Sequence, residues 1–424
     1  MASWTEILND IPEGISEADL EDRFVGEFLR RGLGFTTAQV AKNNQFSSSN
    51  TDQTVIPDYA CYDRDESSSD PVLVVEDKAA RPELMSNAIE ELQEQMVISK
   101  AEFGLATNGL RMELWQRHGN VCVPRSKFEL LPETIESAIE EIKNHLQSPR
   151  KTLTMMFWVK KGGVGKTTIT ANIGAALARN GAKVLLVNFD LQGNLNRLMG
   201  FPKMTEYNPP VTINDALEDA ETGIGEIQLD SLIRTQQFRI RPGLLRSYQT
   251  FEIDIIPGDR SMQQVERGRE RTDDRSLKLL LDRVYNRYDY VLIDAPPQWE
   301  KIAIKAAYAS DIAIPIVDND GFGIDALIDT QTQYMTFGEF EHLDSFPPKI
   351  QGCVLNCRLT GQTGENSVKN IRERVQNLGF QWRDWVIKNY ADTAYSVNKG
   401  MPVVFSKPNS KAAQDFLKLA NSMF

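Results

Sequence analysis

The stretch Lys160-Lys161-Gly162-Gly163-Val164-Gly165-Lys166-Thr167-Thr168 constrains this chain more than any other. An apolar run at residues 153–159 precedes it and reads as a buried strand; residues 169–177, with apolar residues at helical spacing, follow it. Strand, glycine-rich loop and helix in that order make a phosphate-binding loop. Its glycines let backbone N–H groups turn inward on an anion, and the helix N-terminus adds a partial positive charge. Gly162, Gly163, Val164, Gly165, Lys166, Thr167 and Thr168 are the candidate nucleotide-binding residues. Lys166 is the residue that reaches the β- and γ-phosphates, and the Thr167 hydroxyl is the one that meets Mg²⁺.

Downstream, apolar runs at residues 182–190, 251–258, 288–297, 311–317 and 350–356 read as strands, with helical patterns at 276–285 and 412–423. Residues 202–250 carry little pattern beyond a short helix at 213–217. Alternating strands and helices predict an α/β fold, a doubly wound and mostly parallel sheet with nucleotide at the strand C-termini. Asp190 and Asp294 each end an apolar strand. A carboxylate at the position of Asp190, beside a γ-phosphate, can orient water, and Asp294 stands where a Walker B aspartate holds a Mg²⁺-bound water.

A second lysine, Lys161, precedes the glycines, so the loop reads Lys-Gly-Gly-Val-Gly-Lys-Thr-Thr. This resembles the deviant Walker A motif of the ParA/MinD/Soj family of ATPases, which position plasmids, chromosomes and other cargo. The likeness covers about residues 152–424. It implies that Lys161 crosses to a partner subunit's nucleotide, so that ATP and Mg²⁺ bring two chains into a sandwich homodimer. It also implies catalytic roles for Lys161, Lys166 and Asp190. Residues 188–194 match the family's Asp-x-Asp-Pro-Gln-Gly-Asn switch, with Asp190 on the second aspartate, the water-positioning one. Two residues depart from it: Asn188 replaces the first aspartate and Leu191 the proline. The lost charge is expected to slow turnover or weaken metal binding. Asp294-Ala295-Pro296-Pro297 also follows the family, and Asn356 falls at its position near the adenine ring. Further expectations are non-specific DNA binding, a ParB-like or other partner that stimulates hydrolysis, and a cytoplasmic, nucleoid-associated protein.

Candidates for phosphate contact are two arginine groups, Arg234, Arg239, Arg241 and Arg246, and Arg260, Arg267, Arg269, Arg271 and Arg275. Acidic residues dilute the second group, which reads equally as a solvated helix face. No helix-turn-helix pattern appears, so operator-specific binding is not expected.

The net charge of −12 is unevenly spread. Residues 1–148 hold 13 Lys and Arg against 27 Asp and Glu, whereas residues 149–424 hold 34 against 32. Two domains, 1–148 and 149–424, follow from this shift. No apolar run approaches the roughly 20 residues that span a bilayer, and the N-terminus has no secretory pattern. Four scattered cysteines offer no zinc spacing; Cys353 and Cys357 read as buried thiols.

In the acidic domain, residues 20–31 read as an amphipathic helix, 55–62 and 71–78 as strands with a serine turn at 67–69, and 86–100 as a helix. Residues 41–54 read as a loop. Two strands, 103–109 and 111–115, meet through Asn108-Gly109, a turn-favouring pair. Asp58 lies in one strand, and Glu76 and Lys78 lie on one face of the next. Two carboxylates on adjacent strands can share a second divalent metal, and a neighbouring lysine can stabilise developing charge. The pattern resembles the PD-(D/E)xK nuclease core, and with the helix and hairpin it is similar to the N-terminal nuclease domain of type I restriction HsdR subunits over about residues 17–118. The likeness implies catalytic roles for Asp58, Glu76 and Lys78, with Asp58 and Glu76 as metal ligands. Glu27 falls where that family often has a helical acid, and either Gln93 or Gln95 answers to its glutamine. Two functions stand side by side: a partition-type ATPase, and an ATP-gated, metal-dependent nuclease acting on foreign DNA. A third is a scaffold whose acidic domain only recruits a partner.

Overall fold

The computed structural model describes residues 3–48, 53–63, 70–223, 225–241, 248–266, 273–284, 286–319, 323–338, 349–350, 353–357, 361–377 and 385–423. The serine turn expected at 67–69 lies outside them, as do Arg246, Arg267, Arg269 and Arg271. The chain divides into two compact units, Met1–Arg150 and Lys151–Met423.

The first unit is built on a six-stranded sheet: β1 (Val40–Lys42), β2 (Tyr59–Cys61), β3 (Leu73–Asp77), β4 (Phe103–Thr107), β5 (Arg111–His118) and β6 (Val121–Glu129), neighbours in that order. Only β3 and β4 run parallel, and helix α1 (Met85–Ser99) makes their crossover. Ala88, Leu92 and Met96, at helical spacing, bury α1 against one sheet face. The other face is covered by residues 17–32, a helix capped by Ser16 that widens into π turns at Glu21–Val25 and Phe28–Gly32. Leu20, Phe24, Phe28 and Leu29 form its buried stripe. β4 and β5 join through Asn108 and Gly109, whose φ of +76° suits glycine. The run 55–62 is not one strand. Thr54–Val55 pairs with Phe46–Ser47 in a small ribbon, and β2 begins after Pro57, which has no N–H to give a ladder.

The second unit contains a seven-stranded sheet. Its strands are β7 (Leu153–Phe157), β8 (Val184–Asn188), β9 (Arg234–Ile240), β10 (Gln249–Ile256), β11 (Tyr290–Asp294), β12 (Ile312–Ile314) and, after the short strand β13 (Ile316–Asp318), β14 (Lys349–Ile350). Their order is β9-β10-β8-β11-β7-β12-β14, parallel throughout except for the antiparallel edge pair β9–β10. β13, β15 (Val354–Asn356) and β16 (Val386–Ile387) form a separate parallel three-stranded sheet. The run expected as one strand at 311–317 is split at Pro315, which cannot donate; its carbonyl instead accepts the Val354 N–H at 2.8 Å. The central strands are buried on both faces, as parallel strands flanked by helices must be. Helices α2 (Lys166–Arg179) and α3 (Lys411–Met423) pack beside each other. The stretch 202–250 holds a helix at Ile213–Thr222 and β9, an edge strand absent from the sequence expectations.

All four cysteines are buried thiols outside any disulfide. Among the described residues, no helix is long and apolar enough to cross a membrane.

Candidate functional site

β7 delivers the chain into the glycine loop, and α2 starts from Gly165, whose φ of +98° lies where L side chains are strained. A Cβ on Gly165 would meet Asn356 Nδ2 at 2.7 Å. The loop therefore rests on Asn356, whose amide donates to the Val164 carbonyl at 2.8 Å. Asn356 ends β15 and lies opposite Asp318, the end of β13. Lys161 Nζ donates to both Asp318 oxygens, at 2.8 and 3.0 Å. Gly162 and Gly163 are exposed at the loop tip, Val164 is buried, and Thr167 and Thr168 are half-buried in the first helical turn.

Lys166 is buried, and its ammonium donates to the Lys161 carbonyl at 2.9 Å. Burial holds it below the usual lysine range, against the pull of Asp294 and Asp190. Asp294 ends β11, in register with Asn188 at the end of β8. It is fully buried; neither carboxylate oxygen accepts a regular hydrogen bond, although the Thr167 hydroxyl lies close enough to act on it. Burial, then Asp190, push it up to about 7, with Thr167 and Lys166 opposing. Asp190 is also buried; its Oδ1 accepts the Gln192 N–H at 2.9 Å, and burial raises its carboxyl above the ordinary range. A buried aspartate whose oxygens accept no regular hydrogen bond, beside a threonine hydroxyl, fits a hard, oxygen-seeking cation. Thr167 and Asp294 would hold the Mg²⁺ of a bound nucleotide, where it would neutralise phosphate charge.

The departure at Asn188 is built into a neutral network. Asn188 is fully buried and donates to Asn196 Oδ1 at 2.6 Å. Asn196 in turn accepts the Gly258 N–H at 2.9 Å and donates to the Gly258 carbonyl at 2.8 Å. Asn188 Oδ1 accepts the Asp190 N–H at 3.3 Å, so the network reaches the switch backbone. Asn196 had no sequence signal beyond being a second asparagine shortly after Asn194. Leu191, in place of proline, packs on the core.

In the first unit, Glu76 is buried and engages Lys78 Nζ and, at 2.6 Å, Gln95 Nε2. Gln95 is thus the glutamine that meets it. Lys78 also pairs with Glu91 at 2.8 Å. Burial, then Glu91, push Glu76 up to about 8. Asp58 takes a different partner: its Oδ2 accepts the Asp77 backbone N–H at 2.8 Å. Carboxylate oxygens of Glu21, Asp58 and Asp77 lie within 4.8 Å of one another. Glu21 and Asp77 were not sequence candidates. Burial, then Asp58 and Glu21, push Asp77 up to about 9. Glu27 is taken up by Arg30 and Arg31.

Of the described arginines, Arg234 donates to the Ser231 and Ile233 carbonyls at 2.8 Å, Arg239 lies over the Tyr248 ring at 4.9 Å, and Arg275 pairs with Asp273.

Residues 152–336 match the family model of an AAA domain. The chain is 30% identical over 272 residues to the chromosome partitioning protein ParA of Caulobacter vibrioides, covering 62% of this chain and 91% of that protein. To the sporulation initiation inhibitor protein Soj of Bacillus subtilis it is 26% identical over 268 residues, 62% of this chain and 95% of that one. The apo McdA structure from Cyanothece shares the fold at a TM-score of 0.50 and 18% identity, over 64% of this chain and 99% of that one.

Proposed function

The chain belongs to the ParA/MinD/Soj family of P-loop ATPases, and from that premise we propose that it binds Mg-ATP, pairs with a second copy of itself around the nucleotides, and works in partitioning or positioning DNA or other cargo. The observation that carries this reading is the convergence of buried Lys166, Asp190 and Asp294 at the loop and strand ends. Lys166 binds the phosphates, Asp190 orients the attacking water, and Thr167 and Asp294 serve the Mg²⁺. Lys161 leaves Asp318 and reaches the partner's nucleotide. The paired, ATP-bound form holds DNA without regard to sequence, with Arg234, Arg239 and Arg241 among the candidate contacts. Hydrolysis, stimulated by a ParB-like or other partner, releases it. The protein works in the cytoplasm at the nucleoid. Light scattering and a plasmid gel shift with and without ATP test the reading. An ATP-dependent dimer and an ATP-dependent shift, both lost in Lys161→Ala, are expected. A monomer that ignores ATP would overturn it.

A second reading has an observation of its own. Glu76, Lys78 and Gln95 form one hydrogen-bonded array in the first unit, with the Asp58 charge acting on Glu76. That suits a restriction-endonuclease-like domain cutting DNA with a divalent metal under control of the ATPase. Plasmid incubated with ATP and either Mg²⁺ or Mn²⁺ should then be nicked or linearised, and Glu76→Ala should leave it intact. Uncut plasmid under both metals removes this reading. A domain of net charge −14 (13 Lys and Arg against 27 Asp and Glu in residues 1–148) repels a polyanion, which is why this reading ranks second.

A further inference from the structure

Given the ATPase reading of this site, we propose that Asn188 and Asn196 are a matched pair of positioning residues that set the switch backbone at Asp190, and that the pair requires an amide, not a carboxylate, at position 188. Backbone groups fix every orientation in the pair. The Gly258 N–H can only donate, and the Gly258 carbonyl can only accept. The Asn196 oxygen therefore faces the N–H, at 2.9 Å, and the Asn196 nitrogen faces the carbonyl, at 2.8 Å. That same oxygen lies 2.6 Å from the Asn188 side chain, so the Asn188 atom there is the donor, Nδ2. Asn188 Oδ1 is left to accept the Asp190 N–H, at 3.3 Å.

Nothing in the surroundings lets the pair rearrange cheaply. Both amides are fully buried, so neither can turn to bulk water for a replacement partner. A Cβ on Gly258 would meet Asn188 Nδ2 at 3.0 Å and Cγ at 3.2 Å, so the bare glycine is what lets its backbone come this close. The next residue, Asp259, holds that backbone from its other side: it is buried, and its two oxygens accept the Ile213 and Ser261 N–H groups, each at 2.8 Å. Turning Asn196 over would set donor against donor at Gly258. A carboxylate at 188 offers only acceptors. It would face the Asn196 oxygen with no proton between them. Strand register also sets Asn188 opposite Asp294, so the amide keeps a third buried carboxylate away from Asp190 and Asp294. The charge missing at 188 is therefore a requirement of this packing. Asn188 and Asn196 act through Asp190, whose N–H they hold.

The test measures turnover at saturating Mg-ATP, ADP affinity, and hydrogen exchange at the Asp190 N–H without nucleotide, all on the full-length protein. Asn188→Ala should lower kcat about tenfold or more, since misplacing a catalytic group by about 1 Å costs up to about a hundredfold. Its ADP affinity should stay within about threefold, because the phosphate loop is untouched. The Asp190 N–H should exchange faster. Asn196→Ala should act alike, and the double variant should fall no further than either single one, as residues that work as a unit do. Asn188→Asp should also turn over more slowly than the unaltered protein. If the missing charge were what limits turnover, as the sequence alone suggests, Asn188→Asp would instead be faster, and kcat at or above the unaltered value overturns the proposal. Additive losses in the double variant overturn it too. So does a loss of ADP affinity equal to the loss of kcat, which marks a collapsed site. Asn188→Ala buries no charge, so it decides the matter should Asn188→Asp fail to fold. An unaltered protein that hydrolyses no ATP defeats the ATPase reading itself. Hydrogen exchange then judges the pair alone, and unchanged exchange at Asp190 in Asn188→Ala overturns it.

Discussion

The Lys161 ammonium lies 2.8 Å and 3.0 Å from the two oxygens of Asp318, a carboxylate fully buried at the end of β13. Removing one member of such a pair leaves the other charge poorly compensated. Lys161 keeps 22% of its side-chain surface in solvent, so the loss is smaller than for a fully buried pair. We expect Lys161→Ala to cost about 1–2 kcal/mol in the absence of nucleotide, a drop of a few degrees in Tm. Thermal melting checks this; an unchanged Tm would remove the pair from the account of stability.

Lys166→Ala should abolish nucleotide binding. Its ammonium is buried, pre-aimed at the loop, and donates to the Lys161 carbonyl at 2.9 Å. Hydrogen bonds to charged groups are worth about 1.5–3 kcal/mol each, so losing one to each of the β- and γ-phosphates weakens binding by about a hundredfold to more than ten-thousandfold, beyond the reach of a titration. A fluorescent ATP analogue titrated into the variant should therefore show no saturation. Binding within a factor of about two of the unaltered protein would mean that Lys166 does not touch phosphate.

Asp190→Ala tests a different step. Asp190 lies beside the nucleotide loop but makes its hydrogen bond to the Gln192 N–H, not to the loop. The variant should bind ATP, stay paired and stop turning over. Phosphate release and light scattering on the same sample give both readouts. Normal turnover would take the water-orienting role away from this residue.

The parts legible in the sequence are those where one physical demand dominates. β7, β8 and β11 are buried on both faces, so they appear as continuous apolar runs. The loop is legible because glycines and lysines at that spacing suit phosphate. β9 is different: it is an edge strand with only Phe238 and Ile240 buried, and its Arg-Thr-Gln-Gln start reads as loop. β6 carries Pro124, Arg125 and Lys127 and is half exposed, which hides it in the same way. In the acidic unit, strand alternation puts Glu76 and Lys78 on one face and Asp77 on the other. Asp58, however, precedes β2, so alternation does not govern its side chain, and it meets the Asp77 backbone. Only three-dimensional placement brings in Glu21, 37 residues before Asp58. The Asn188–Asn196 bond is equally invisible, since a strand end and a helix meet there.

Asp294 makes the nucleotide site sensitive to pH. Its carboxyl ionises at about 7 in the folded chain against an ordinary 3.8, chiefly through burial. Between those values the folded state holds a proton that the unfolded state has lost, so this group's contribution to stability falls as pH rises through the window and then levels off. A Mg²⁺ ligand must be ionised, so cation binding expels that proton. Affinity for Mg-ATP should therefore rise from pH 6 to pH 8, and Asp294→Asn should flatten the profile while binding Mg²⁺ more weakly. Calorimetric titrations at three pH values decide it. A flat profile in the unaltered protein would mean that Asp294 is already ionised.

Asn356 can do two jobs, and one experiment separates them. Family resemblance gives it the adenine ring, yet its amide donates to the Val164 carbonyl and closes on Gly165. If its work is to brace the loop, Asn356→Ala weakens ATP and GTP alike, since both bind through their phosphates. Losing one neutral hydrogen bond of this kind costs about 0.5–1.5 kcal/mol, so the common loss is about twofold to twelvefold. If its work is to read the base, ATP weakens while GTP does not, because a site that hydrogen-bonds one base rejects another by leaving its own polar groups unpaired. The geometry favours the brace, and we expect the ratio of the two dissociation constants to stay constant. A ratio that collapses toward one would return Asn356 to the adenine ring.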